Sequence, residues 1–168
     1  MEFEDIIRRR TSVRKFSDKK LEKEELDKIL EAGRVAPTAK NNQPIKIYVV
    51  QSEEGLEKID KASRCRYGAP VVLIICGNRD EAYHKGEYST YEMDSCIVTT
   101  HMMLEATNIG VDNIWVEAFD ENILREDFNI GEELTPVCLL PLGYRDNDCP
   151  INPLHDKRKD INELVIYV

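Results

Sequence analysis

Two guanidiniums and two hydroxyls crowd into five residues, Arg10-Thr11-Ser12-Val13-Arg14. Guanidiniums grip phosphate oxygens in pairs and hydroxyls add short hydrogen bonds, so this is the donor set of a phosphate cradle. It is also the make-up of a solvated basic helix end in favourable contact with the helix dipole. Ser12-Val13-Arg14-Lys15 fits the S-x-x-K spacing of serine acylases, but no K-T-G or S-D-N segment accompanies it, and the spacing reads as coincidence. A second basic cluster, Lys157-Arg158-Lys159, lies near the C-terminus. Between them, Ala36-Pro37-Thr38-Ala39-Lys40-Asn41-Asn42-Gln43-Pro44 sets amides and a hydroxyl between two prolines. Composition allows a plain rigid turn or a loop that offers polar groups to the edge of a flat heterocycle. The usual nucleotide fingerprints, G-x-G-x-x-G and G-x-x-x-x-G-K-[ST], are absent. His84, His101 and His155 form no close ligand pair, so no metal site is expected, and His101 reads as a hydrogen-bonded structural residue.

The net charge of −9 means the average surface repels nucleic acid and anionic lipid, so an anion site has to be a local exception. The two basic clusters are such exceptions. Five cysteines are an odd, scattered set without Cys-x-x-Cys, which suggests small core hydrophobes rather than disulfides or zinc. The longest apolar run, Val71 to Cys76, is too short to cross a bilayer, and the acidic start is unlike a signal peptide; a cytoplasmic protein is expected.

The 168 residues suit one domain, 1–168, with no linker or repeat. Phe3, Ile6 and Ile7 have helical spacing, as do Leu21, Leu26, Ile29 and Leu30 in a second helix that ends before Pro37. Strands are expected at Ile45–Val50, Val71–Cys76, Ile114–Val116 and Val137–Leu140, and short helices near 53–62 and 121–128. Tyr91 to Ile109 reads as the central buried helix, closed by Gly110. Leu164-Val165-Ile166-Tyr167-Val168 predicts an apolar terminal strand, an aggregation liability unless a partner subunit covers it. Mixed helices and strands give an α+β or three-layer α/β/α domain.

Taken in order, these segments resemble the flavin-dependent nitroreductase family across almost the whole chain. Arg10-Thr11-Ser12-Val13-Arg14-Lys15-Phe16 is similar to its R-x-S-x-R-x-F/Y segment, and Ala36 to Pro44 to its A-P-S-x-x-N-x-Q-P loop, with Thr38 in place of serine. Tyr67-Gly68-Ala69-Pro70 resembles its Ala-Pro entry into a core strand, and Asp94 to Gly110 its central helix, with Thr100 and His101 replacing a frequent Gln-Asn. Trp115 to Asp120 and Pro141-Leu142-Gly143-Tyr144 followed by Lys157-Arg158-Lys159 complete the match.

The resemblance implies a three-layer α/β/α sandwich around a mixed, mostly antiparallel sheet, and a homodimer with FMN at the subunit interface. It puts Arg10, Thr11, Ser12 and Arg14 on the phosphate and ribityl chain, joined by Arg158 and Lys159. Pro37, Thr38, Ala39, Asn41 and Gln43 would reach the flavin from the other subunit. Glu117 and Ala118 would lie beside the redox-active face, with a backbone N–H near the ring nitrogen. It implies no side-chain nucleophile: the flavin carries the chemistry, taking hydride from NAD(P)H and passing electrons, ping-pong, to a nitroaromatic, quinone or similar acceptor. The chain is short for the family, which implies an open cleft. The rival reading, a non-catalytic anion- or nucleic-acid-binding module using the basic clusters, is opposed by the −9 charge.

Overall fold

The computed structural model describes residues 2–168, and its frame is one antiparallel sheet in the order β1-β2-β6-β5. In chain order the elements are α1 (Phe3–Arg9), α2 (Lys23–Arg34), β1 (Ile45–Val50), α3 (Glu53–Ala62), β2 (Val71–Asn78), β3 (His84–Lys85), β4 (Tyr88–Ser89), α4 (Tyr91–Asn108), β5 (Asp112–Asn113), α5 (Glu121–Phe128) and β6 (Leu134–Gly143). The helix starts have local causes: Glu22 and Glu25 form a reciprocal capping box on α2, Ser52 accepts from Gly55 N–H before α3, and Asp120 caps α5.

β2 explains the layering. It is buried along its whole length, and its alternate residues feed two cores. Val72, Ile74 and Cys76 pack with Ile59 and Ala62 of α3 and Leu124 of α5, whereas Val71, Leu73 and Ile75 pack with Ile29 of α2 and Val98, Met102 and Ala106 of α4. A strand with period-two side chains and no polar face needs helices on both sides, which makes the α/β/α sandwich. Fully burying each such aliphatic side chain is worth about 1.5–3 kcal/mol. Gly33 lets α2 approach α4 closely, since a Cβ there would lie 2.9 Å from the Met102 side chain. Gly110, at φ +84°, ends α4 in the left-handed conformation that glycine tolerates.

Several expected boundaries shift. β6 continues through Pro136 and Pro141, because a register shift places Pro136 opposite Cys76, and Pro141 accepts from Ile114 N–H through its carbonyl. The strand expected at Ile114–Val116 is displaced: β5 is Asp112–Asn113, and only Val116 bridges, to Leu139. The pairing between named strands is antiparallel throughout; the parallel component is the single bridge Ser12–Asn113. The expected terminal strand is not one. Among the described residues Leu164 to Val168 pairs with no strand, and it is exposed, with Ile166 at 86% and Tyr167 at 89%. His101 sits on the exposed side of α4, its Nδ1 2.9 Å from the Ile97 carbonyl. Cys76, Cys138 and Cys149 are buried, and burial pushes the Cys76 and Cys138 thiols up to about 12, which makes them inert. Among the described residues no helix is long and apolar enough to cross a membrane.

Candidate functional site

The segment after α1 runs extended beside β5, where Val13 N–H donates to the Asn113 carbonyl. Period-two alternation buries Thr11 and Val13 and leaves Arg10, Ser12 and Arg14 on the open side. There, together with the largely buried Thr11, they line one cavity of about 170 Å³, whose other wall is the segment carrying Asn152, Leu154, His155 and Arg158. The Arg158 guanidinium is steadied by the Leu154 and Lys157 carbonyls, at 3.3 and 2.8 Å. No carboxylate lies within ion-pair distance of Arg10, Arg14 or Arg158 among the described residues. Burial lowers the Arg10 pKa from its ordinary value, and the nearby positive charge of Arg158 lowers it further. Like charges held together without a counter-charge fit an anion as the missing partner. Lys159 is exposed and does not line this cavity.

Lys15, the lysine of the S-x-x-K spacing, is not a base for Ser12. Its ammonium pairs with Asp146 at 3.1 Å, a hydrogen bond that raises its pKa.

Glu117 and Ala118 form a tight turn in which Phe119 N–H donates to the Glu117 carbonyl. Glu117 accepts from the Trp115 indole N–H at 3.0 Å. The Ala118 carbonyl accepts from the Ser63 hydroxyl at 2.7 Å, and Ala118 N–H has no protein acceptor among the described residues. Ser63 is buried and its Oγ also accepts from Cys65 N–H; Tyr67 in turn donates its hydroxyl to Cys65 Sγ at 3.4 Å. The bond to Cys65 and burial raise the Tyr67 pKa, while adjacent Arg14 pulls it down. A chain of polar contacts, Tyr67–Cys65–Ser63–Ala118, therefore leads to the Glu117–Ala118 turn from a tyrosine that feels the charge of Arg14. Sequence reasoning missed Ser63, Cys65 and Tyr67 as parts of this site. The one signal available was Gly68 ahead of Pro70, which marks a turn but not these side-chain contacts; in the structure Tyr67 and Gly68 are both left-handed, at φ 54° and 81°.

The loop from Pro37 to Gln43 stands apart. Lys40, Asn41 and Gln43 all have positive φ (53°, 57° and 53°), a strained run for residues that are not glycine. It is held by Ala39 N–H donating to Asp94 Oδ1 at 2.8 Å, by Gln43 N–H donating to Thr38 Oγ1, and by Asn42 reaching the Glu81 carbonyl. Asp94 is 1% exposed and also accepts from Thr90. Thr38 and Gln43 line a different cavity of about 280 Å³, floored by Leu30, Ile45, Ile47 and Val98, while Pro37, Ala39 and Asn41 do not line it. Within one chain, the three groups of expected residues thus reduce to two places: arginine cavity plus Ala118 turn, and loop.

The Nitroreductase family profile matches residues 7–67 and 64–144, which include the Arg10–Arg14 segment, the loop, the Ala118 turn and β6. The chain belongs to the nitroreductase family. It is 30% identical over 153 residues to a protein of Methanothermobacter thermautotrophicus with the proposed name NADH dehydrogenase/NAD(P)H nitroreductase, covering 86% of this chain and 78% of that one. An "FMN reductase [NAD(P)H]" of Bacillus subtilis is 25% identical over 135 residues, covering 79% of this chain and 50% of its own. Among solved structures, a nitroreductase family protein of Clostridium difficile 630 superposes with a TM-score of 0.93 at 36% identity, covering 99% of this chain and 98% of that chain. The sandwich around β2 is thus the nitroreductase fold, and Arg158 lies beyond the residues that the family profile matches.

Proposed function

We propose that this nitroreductase-family chain is an FMN-dependent oxidoreductase that takes electrons from NAD(P)H and passes them to a small electron-poor acceptor, such as a nitroaromatic or a quinone. The observation that carries it is the cavity of Arg10, Ser12, Arg14 and Arg158: three guanidiniums and no ion-paired carboxylate, in a chain of net charge −9. This donor set fits a phosphate monoester near −2. Arg10, Arg14 and Arg158 hold the phosphate, with Lys159 adding long-range positive charge, and Thr11 and Ser12 hydrogen-bond it or the adjoining polyol. Held by these residues, FMN would supply two-electron redox chemistry between a reduced nicotinamide and the acceptor. The protein's part is orientation. The free Ala118 N–H is a fixed donor for the ring edge, its own peptide held by Phe119 N–H on the Glu117 carbonyl and the next peptide by the Ser63 hydroxyl, and Glu117, clamped by Trp115, walls the approach. The work belongs in the cytoplasm, where reduced nicotinamides are supplied.

The same reading makes the working unit a homodimer, in which Pro37, Thr38, Ala39, Asn41 and Gln43 of one copy complete the flavin site of the other. Its support is that the strained loop is rigidly presented yet lines none of the cavity formed by Arg10, Arg14 and Arg158 of its own chain, and that Leu164–Val168 is exposed and apolar.

The deciding experiment is a visible spectrum of purified protein after addition of FMN, followed by a thermal melt. A perturbed flavin band and a raised melting temperature are expected. A protein that stays colourless after desalting and gains no stability would sink the proposal.

A further inference from the structure

A larger cavity, about 500 Å³, adjoins the arginine cavity just described. The two share Thr11 and His155 but no arginine: the smaller one is lined by Arg10, Arg14 and Arg158, the larger by Arg8 and Arg9 of α1 and Arg145 beyond β6. We propose that this larger cavity is a second anion site, which takes a small phosphate-type polyanion while FMN occupies its neighbour. The proposal rests on the flavin reading only for the neighbour's occupant.

Charge is the first argument. Arg8, Arg9 and Arg145 have no ion pair among the described residues, whereas Arg34, Arg66 and Arg125 each close on a carboxylate. Two carboxylates do stand on the cavity wall. Asp112 is engaged, its Oδ2 accepting from the Arg145 backbone N–H at 2.8 Å, and Asp156 is turned to water with its side chain 92% exposed, 4.0 Å from His155. Positive charge is left in excess, and FMN brings one phosphate, for which the smaller cavity already provides three guanidiniums.

The wall chemistry is the second argument. Asn113 lines this cavity and is 1% exposed; its amide NH₂ is committed to the Met103 carbonyl and Thr107 Oγ1, at 3.2 and 3.3 Å. Its Oδ1 is the single buried side-chain polar atom left without a partner among the described residues. Buried acceptors are rarely left so, which marks this wall as one whose polar groups the protein itself matches incompletely. The frame is fixed as well, since His155 Nε2 lies 3.0 Å from the Arg8 carbonyl and ties the 151–156 segment to α1. Arginines on a braced frame favour planar, paired recognition of phosphate oxygens.

The test is a calorimetric titration of the FMN-saturated protein with pyrophosphate, which keeps the neighbouring cavity filled. One pyrophosphate per chain is expected. Arg8→Gln combined with Arg9→Gln, two exposed positions on α1, should weaken it by about tenfold or more, with FMN affinity held within about threefold. No binding to the FMN-saturated protein, or equal binding to the double variant, overturns the proposal. Arg145→Gln is a second route to the same loss, and the α1 pair decides the matter if that variant does not fold. ADP in a parallel titration separates the sources: binding with the same arginine dependence assigns a nucleotide diphosphate, and binding of pyrophosphate alone assigns a free polyphosphate. A chain that takes up no FMN overturns the cofactor assignment by itself, and the arginine dependence then decides this proposal on the flavin-free protein.

Discussion

The Arg10–Arg14 segment and the Pro37–Gln43 loop are both polar, both outside regular structure and both rigid, yet they are built on opposite principles. The first is unstrained extended chain, anchored by burying every second residue and bridged to β5, and it concentrates positive charge. The second carries one lysine in its seven residues, stores strain in three positive-φ residues, and is held from below by a carboxylate buried in the first turn of α4. A charged ligand end needs placed guanidiniums and little shape. A flat, largely uncharged ring needs backbone groups set at fixed angles, and left-handed residues supply those angles at a cost of about 1–3 kcal/mol each. The cost is bearable here because Asp94 and Thr38 satisfy the backbone N–H groups of Ala39 and Gln43.

Three changes separate the two designs, and the largest effect falls on the arginines. Arg14→Ala with Arg158→Ala removes two charge-assisted contacts worth about 1.5–3 kcal/mol each, so FMN affinity should fall by about a hundredfold or more in a flavin fluorescence titration. Both side chains are outside the core, so the melting temperature of the flavin-free protein should hardly move. An unchanged affinity would move the phosphate elsewhere. Asp94→Ala should show the opposite profile. It strands Ala39 N–H and the Thr90 hydroxyl and should cost about 1–3 kcal/mol in a denaturant unfolding curve of the flavin-free protein. Equal stability would mean that Asp94 does not brace the loop.

The two regions also differed in how far they could be read in advance. The arginine segment was legible because charge is a property of residue type: in a chain of net −9, Arg10, Arg14 and Arg158 stand out before any fold is known. Helices α3 and α5 were legible from their apolar spacing, and the structure shows that the Ser52 and Asp120 caps agree with it. The loop was legible as a rigid turn, but its brace was not, because Ala39 and Asp94 are 55 residues apart and meet only through packing of α4. Positive φ at Tyr67, Lys40 and Gln43 leaves no mark in composition, which hid the Tyr67–Cys65–Ser63 path as well. Pro136 and Pro141 made β6 look shorter than it is, since a proline breaks a ladder only where its N–H would have been needed. The terminal residues were read as a strand from hydropathy alone, and a strand requires a neighbour, which the described residues do not place beside them.

The smallest expected effect tests whether the arginine cavity and the Ala118 turn act as one site. Tyr67→Phe keeps the ring in its packing and removes only the hydroxyl, which donates to Cys65 and feels the charge of Arg14. One neutral hydrogen bond is worth about 0.5–1.5 kcal/mol, so FMN affinity should weaken by about two- to tenfold, with the unfolding midpoint of the flavin-free protein nearly unchanged. Ser63→Ala acts at the other end of the path, freeing the Ala118 carbonyl. If the path couples the two ends, the double variant should lose less affinity than the sum of the single losses, because cutting either link releases the same connection. Strict additivity would mean that Arg14 and Ala118 serve a ligand independently. The arginine segment, the Ala118 turn and the loop would then be three separate contributors to the site.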